Sequence, residues 1–185
     1  LTGSGTVIMD NPGLNVRLSE ADLGIDVPLR QPVRVILDTH LQTPETAKIY
    51  TLEGETWLLA SAQAINSSAD KWRHTHTVLT AINEDGGHLD LSAVMRYLAE
   101  QQINLLHVEA GSRLCGALLQ AQLVDEIIVY MAPVIMGDEA RGLFSLPGLT
   151  QMKDKIALHI SEFRKVGGDI RITARPVYPT DNNRP

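Results

Sequence analysis

The chain has almost no cysteine, no apolar run long enough to cross a bilayer, and no excess of positive charge. Its 185 residues include one cysteine, Cys115. No internal disulfide can form, and no CxxC pair offers a metal site. No histidine stands near Cys115 in sequence, so it reads as a small thiol facing a core. The lack of a spanning-length apolar stretch excludes a transmembrane helix. Lys and Arg number 16 against 22 Asp and Glu, a net charge of −6. A nucleic-acid-binding face needs a basic stripe, so no nucleic-acid or membrane partner is expected. An anionic ligand must then be gripped by local donors rather than drawn by the overall field. Signal peptide, repeat, linker and low-complexity stretch are all missing, and the expected location is the cytoplasm. With 44% hydrophobic residues and a mean hydropathy of −0.03, the chain is long enough for one domain with a core. The expectation is a single domain over residues 1–178 and a disordered tail over 179–185.

What the sequence does contain is concentrated between Val108 and Gly142, VEAGSRLCGALLQAQLVDEIIVYMAPVIMGDEARG. This run reads as strand, glycine turn, helix, acidic turn, strand. Glu109 ends an apolar strand over Leu105–Glu109, and Gly111 opens a helix that starts with Ser112 and Arg113. A helix start offers unpaired N–H groups and the positive end of a dipole, which suits a phosphate or pyrophosphate. The plain alternative is an ordinary turn with a glycine needed for geometry and a solvated arginine, and the residues alone leave the two level. The turn does not match GxGxxG. Gly116 inside the helix points to close packing or ligand approach.

Along the rest of the chain, Thr2–Thr6 reads as a flexible start that could also line a phosphate pocket, and Asp10-Asn11-Pro12-Gly13 as a turn. Strands are expected at Val33–Leu37, Thr56–Ala60, Thr75–Ala81 and Glu126–Ala132. Asp90 is an N-cap for a helix over Leu91–Gln102, and the second helix runs from Ser112 to Gln122. The strand–helix–strand unit over 105–132 predicts parallel pairing with a right-handed crossover. Gly167-Gly168 between His159–Val166 and Asp169–Val177 marks a hairpin. The architecture is therefore α/β: a mixed, mostly parallel sheet flanked by helices, with a C-terminal antiparallel hairpin. Asp38-Thr39 sits at a ligand-friendly strand end, with a turn cap as the simpler explanation. His74, His76 and His88 lack metal spacing, and Asp138-Glu139 reads as a turn. No metal ligands are expected.

Three segments in order, GSGTVIMDNPGLNVR, QPVRVILDTH and LLHVEAGSRLCGALLQAQLVDEIIVYMAPVIMGDEARG, resemble the reductase domain of the bacterial riboflavin-biosynthesis deaminase-reductase. The resemblance spans Gly3 to about Ile172. It implies a dihydrofolate reductase-like fold and NADPH-dependent reduction of 5-amino-6-(5-phosphoribosylamino)uracil to the ribitylamino compound. It implies that Thr6, Asp10 and Thr39 contact NADPH, together with Gly111, Ser112, Arg113, Leu114, Cys115, Gly116 and Ala117. It implies that Leu14, Arg17 and Glu109 contact the phosphorylated substrate, with Arg17 suited to the phosphate and Glu109 the catalytic candidate. In this fold the turn before the cofactor helix often carries a cis peptide, expected here at Ala110-Gly111. A homodimer and an upstream zinc deaminase domain are the implied partners.

The family reductase opens with a strand bearing a substrate-side lysine, then a serine- and tryptophan-containing loop and a helix. None of that precedes Leu1. The chain is read as a piece with its N-terminal strand and helix missing, weak or inactive by itself. Asn11 also stands where the family often has a second aspartate. Two rival functions stay open. One is a dihydrofolate reductase-like enzyme on a pterin; the first-helix region that would carry its acidic residue is missing here, so the sequence does not exclude it by that route. The other is a nucleotide-binding or assembly module without turnover.

Overall fold

The computed structural model describes residues 1–24, 26–72 and 77–178. It divides into two compact units, Leu1–Gly111 and the chain from Ser112 onward. The expected tail at 179–185 lies outside the described residues, as do His74 and His76.

In the first unit, four parallel strands form a sheet in the order β1 (Thr2–Gly3), β2 (Arg34–Leu37), β3 (Thr56–Ala60) and β4 (Thr77–Ala81). The first two residues expected for β4 lie outside the described range. Every residue of β2 and β3 is buried. Central parallel strands are buried on both faces, which the mainly apolar runs VRVIL and TWLLA suit. Ile36 and Leu58 pack with Val7, Leu41, Ile49, Tyr50 and Trp72 in one core cluster.

Helix α1 (Ser4–Asp10) follows β1 at once and buries Val7. The flexible start expected there is instead a strand and a helix. Tertiary burial of Val7 outweighs the poor helix propensity of Ser4, Gly5 and Thr6. Asn11 closes the helix in the left-handed region at φ 44°. Helix α2 (Glu20–Leu23) is held by a capping box in which Ser19 and Asp22 bond each other's main-chain N–H. Helices α3 (Lys48–Thr51) and α4 (Ala62–Ser68) connect the central strands.

Helix α5 (Leu91–Glu100) starts at the expected cap, with Asp90 accepting from the N–H groups of Ser92 and Ala93 at 2.8 and 3.1 Å. A small hairpin precedes it, β5 (Glu84–Asp85) and β6 (His88–Leu89), turning through Gly86 and Gly87 at φ 58° and 81°. Two consecutive positive φ values favour this glycine pair.

The expected strand over 105–109 is not assigned as one. The Leu1 nitrogen donates to the His107 carbonyl at 2.6 Å, and the Glu109 N–H donates to the Leu1 carbonyl at 3.0 Å. This is the bonding pattern of a parallel pair on the free edge of β1. Both bonds go to Leu1, the residue just before β1.

In the second unit, α6 (Ser112–Gln120) precedes a three-stranded antiparallel sheet of β7 (Ile127–Met131), β8 (Ala157–Val166) and β9 (Asp169–Val177), in the order β7-β9-β8. The Gly167-Gly168 hairpin is where the sequence predicts it. β7 pairs antiparallel with β9, Ile127 opposite Ala174 through Met131 opposite Ile170.

Candidate active site

In a parallel sheet all strands end at one edge, and ligands gather beyond that edge. Gly3 and Leu37 are register partners at the ends of β1 and β2, so α1 and the Asp38-Thr39 turn emerge side by side. The parallel bonds to Leu1 bring Glu109 out in the same direction. A Cβ built on Gly111 would lie 4.0 Å from Thr6 Oγ1. The first unit thus collects Thr6, Thr39, Glu109 and Gly111 at one edge of the sheet. Asp10 is exposed at the end of α1.

Glu109 is exposed, and one carboxylate oxygen lies 3.3 Å from His107 Nε2. Positions i and i+2 of an extended segment point the same way, which brings the two together. Sequence reasoning passed over His107, although that spacing was visible. Leu14 holds φ 45°, a left-handed conformation unusual for leucine, and packs against the core cluster. Arg17 is exposed. The peptide bond between Ala110 and Gly111 is trans, contrary to expectation, and no cis bond occurs among the described residues. The trans form is the lower-energy state of a non-proline bond by about 3 kcal/mol.

Asp38 is 1% exposed. It accepts from the N–H groups of Gln42 and Thr43 at 2.9 and 2.8 Å, and from the Thr43 hydroxyl at 2.8 Å. Thr43 Oγ1 lies 2.8 Å from the Tyr50 hydroxyl. An ionised carboxylate only accepts, so Thr43 donates to Asp38 and Tyr50 donates to Thr43. Burial pushes the Tyr50 phenol well above its ordinary value, and Asp38 adds to the rise. The turn-cap explanation therefore holds for Asp38. Thr39 beside it is half-buried, and its carbonyl accepts from the Ser61 N–H at 3.1 Å.

The second unit contributes α6. The first-turn N–H groups of a helix have no partner one turn back, and no acidic residue stands in the first turn of α6. Ser112 is half-buried and Arg113 exposed, while Leu114, Cys115 and Ala117 are half-buried along the helix. Gly116 is buried, and a Cβ there would fall on the Ser145 carbonyl oxygen. The glycine lets the loop after Gly142 press against the helix, where the Ser145 N–H donates to the Ser112 carbonyl at 2.9 Å. Of the two explanations for Gly116, the structure supplies the close packing.

The sequence model of the RibD C-terminal domain matches residues 1–172. The chain is 43% identical over 175 residues to the riboflavin biosynthesis protein RibD of Escherichia coli, covering 92% of this chain and 46% of that protein. It is 30% identical over 181 residues to the 5-amino-6-(5-phosphoribosylamino)uracil reductase of Buchnera aphidicola, covering 95% of this chain and 85% of that one. Acinetobacter baumannii RibD superposes with a TM-score of 0.78 at 29% identity, over 95% of this chain and 46% of that one. The chain spans about half the length of the RibD proteins it matches. The expected dihydrofolate reductase-like α/β fold, with its mostly parallel sheet and terminal antiparallel strands, agrees with these neighbours. The chain belongs to the RibD C-terminal domain family.

Proposed function

We propose that this chain is an oxidoreductase domain that reduces 5-amino-6-(5-phosphoribosylamino)uracil to its ribitylamino product with NADPH. The observation that carries the reading is the gathering of Thr6, Thr39, Glu109 and Gly111 at the C-terminal edge of one parallel sheet, in a chain of this family. The residues fit a nicotinamide dinucleotide. The first turn of α6 presents amides without acidic competition, and Ser112 and Arg113 add a hydroxyl and a guanidinium. Thr6, Asp10, Thr39 and the residues from Gly111 to Ala117 would hold the cofactor. Bound there, reduced nicotinamide supplies a hydride.

The substrate's part follows from its chemistry. The cyclic ribosylamine opens by cleavage of the bond from C1′ to the ring oxygen, leaving an imine, and that oxygen takes up a proton. Hydride addition to C1′ and protonation of nitrogen complete the ribitylamine. Such a reaction depends on orientation more than on a strong base. Glu109 would stabilise positive charge developing on the iminium, Arg17 would take the 5′-phosphate, and Leu14 would pack against the substrate.

The same reading makes the full-length protein a fusion with a zinc deaminase domain, acting in the cytoplasm as a homodimer. In support, the chain spans about half of its RibD relatives, and no helix among the described residues is long and apolar enough to cross a membrane. The test is loss of nicotinamide absorbance with NADPH, with and without the phosphoribosylamino-pyrimidine. Oxidation that requires this substrate is the expected result. Binding without oxidation would favour a nucleotide-binding module, and oxidation with a pterin instead would favour the other rival.

A further inference from the structure

We propose that Asp38 is a positioning residue for cofactor binding, acting through Thr39; the proposal rests on the reading of Thr39 as a cofactor contact. The Asp38 carboxylate lies inside the turn that leaves β2. It closes that turn from beneath by taking the N–H groups of Gln42 and Thr43 and the Thr43 hydroxyl. The Leu41 N–H donates to the Asp38 carbonyl at 3.1 Å, and Leu41 holds φ 54°. A leucine in the left-handed region persists where its surroundings over-determine it.

Two further groups brace the turn. Tyr50 donates to Thr43 in series with Asp38, and hydrogen bonds in series polarise one another. Lys71 Nζ donates to the Thr43 carbonyl at 3.1 Å. With its base fixed, the turn presents Thr39 at the C-terminal edge of the sheet. The main chain of Thr39 is tied to Ser61, while its hydroxyl bonds to no described residue. A rigid carboxylate that orients a ligand-facing neighbour is a supporting contact that holds a binding group in place.

The test is steady-state kinetics on the active protein with Asp38→Asn, Thr39→Val and the double variant. Asparagine keeps the shape but loses the charge, and its amide presents donors to the donors on Thr43. Asp38→Asn is expected to raise KM for NADPH about tenfold, with kcat and the pyrimidine KM within about twofold of wild type. Thr39→Val is expected to raise KM for NADPH severalfold, and the double variant to be no worse than the poorer single variant.

Additive effects, or parallel loss of kcat and both KM values, would overturn the positioning role and leave a structural one. A normal KM for NADPH in Asp38→Asn alongside a raised one in Thr39→Val would overturn it while sparing the cofactor reading. A normal KM in Thr39→Val would remove the cofactor reading at Thr39 and the proposal with it. If Asp38→Asn does not fold, Thr43→Val carries the test, since it leaves both main-chain bonds to Asp38 intact. It is expected to raise KM for NADPH about threefold with kcat unchanged, and an unchanged KM would overturn the proposal.

Discussion

The imidazole of His107 lies 3.3 Å from the carboxylate of Glu109, both on the exposed face of the segment beside β1. An exposed pair of this kind contributes about 0–1 kcal/mol to stability, so its presence does not explain the carboxylate. Glu109 is instead expected to act on the substrate. Glu109→Gln should lower kcat at least about tenfold, the loss of a preorganised charge, while NADPH affinity measured by fluorescence stays within about twofold. Its unfolding midpoint should match that of the wild type.

Gly116→Ala tests the packing of α6. Alanine ordinarily gains about 1 kcal/mol over glycine inside a helix. Here the added Cβ meets the Ser145 carbonyl, and overpacking costs about 1–3 kcal/mol. The variant should unfold at lower urea than wild type. A midpoint raised by the substitution would show that the loop yields freely.

Arg34 is 2% exposed and donates to the Thr56 hydroxyl and to the carbonyls of Leu52 and Gly54. Burial lowers its pKa from the usual guanidinium value. Arg34→Met strands those acceptors, and each buried unsatisfied group costs about 1–3 kcal/mol. Denaturant titration should give a loss of several kcal/mol, with the slope of the transition unchanged.

Tyr50 makes stability fall in alkali. Its phenol is raised in the fold above the ordinary value of 10.0. Below pH 10 both states keep the proton, and the folded state has its full stability. Above pH 10 the unfolded chain releases the proton and the folded one does not, so stability drops by up to about 1.4 kcal/mol per pH unit through the raised value. Tyr50→Phe should flatten the decline between pH 10 and 11.5. An equally steep decline would assign it to other groups.

The sequence made the central sheet plain where the signal was local and strong. The short, mainly apolar runs of β2 and β3 read as strands, Asp90 announces α5 by its cap, and Gly167-Gly168 announces the last hairpin. The misses have a shared cause. Helix α1 begins with Ser4, Gly5 and Thr6, weak helix formers that coil because Val7 reaches the core. The partner of β7 lies some forty residues downstream, on β9, and nothing local in β7 marks that choice. The polar stretch holding α2 carries a local signal of its own, serine followed three residues later by aspartate.

The candidate site divides the same way. Glu109 and the Gly111-Ser112-Arg113 helix start stand out from the strand–turn–helix pattern and Thr39 from its place at a strand end, while Asp10, Leu14 and Ala117 come from the family resemblance. Asp38 looked like a turn cap and is one. Its link to Tyr50 exists only once α3 folds beneath β2. Gly116 gave an ambiguous signal that the Ser145 carbonyl resolves.

The most direct test of the central claim is isotope transfer from NADPH carrying deuterium at both positions of nicotinamide C4. Turnover of the phosphoribosylamino-pyrimidine should place one deuterium at C1′ of the ribityl chain, as read by mass and magnetic resonance spectra of the product. A product with only solvent hydrogen at C1′, or none formed while the protein binds NADPH, would contradict it.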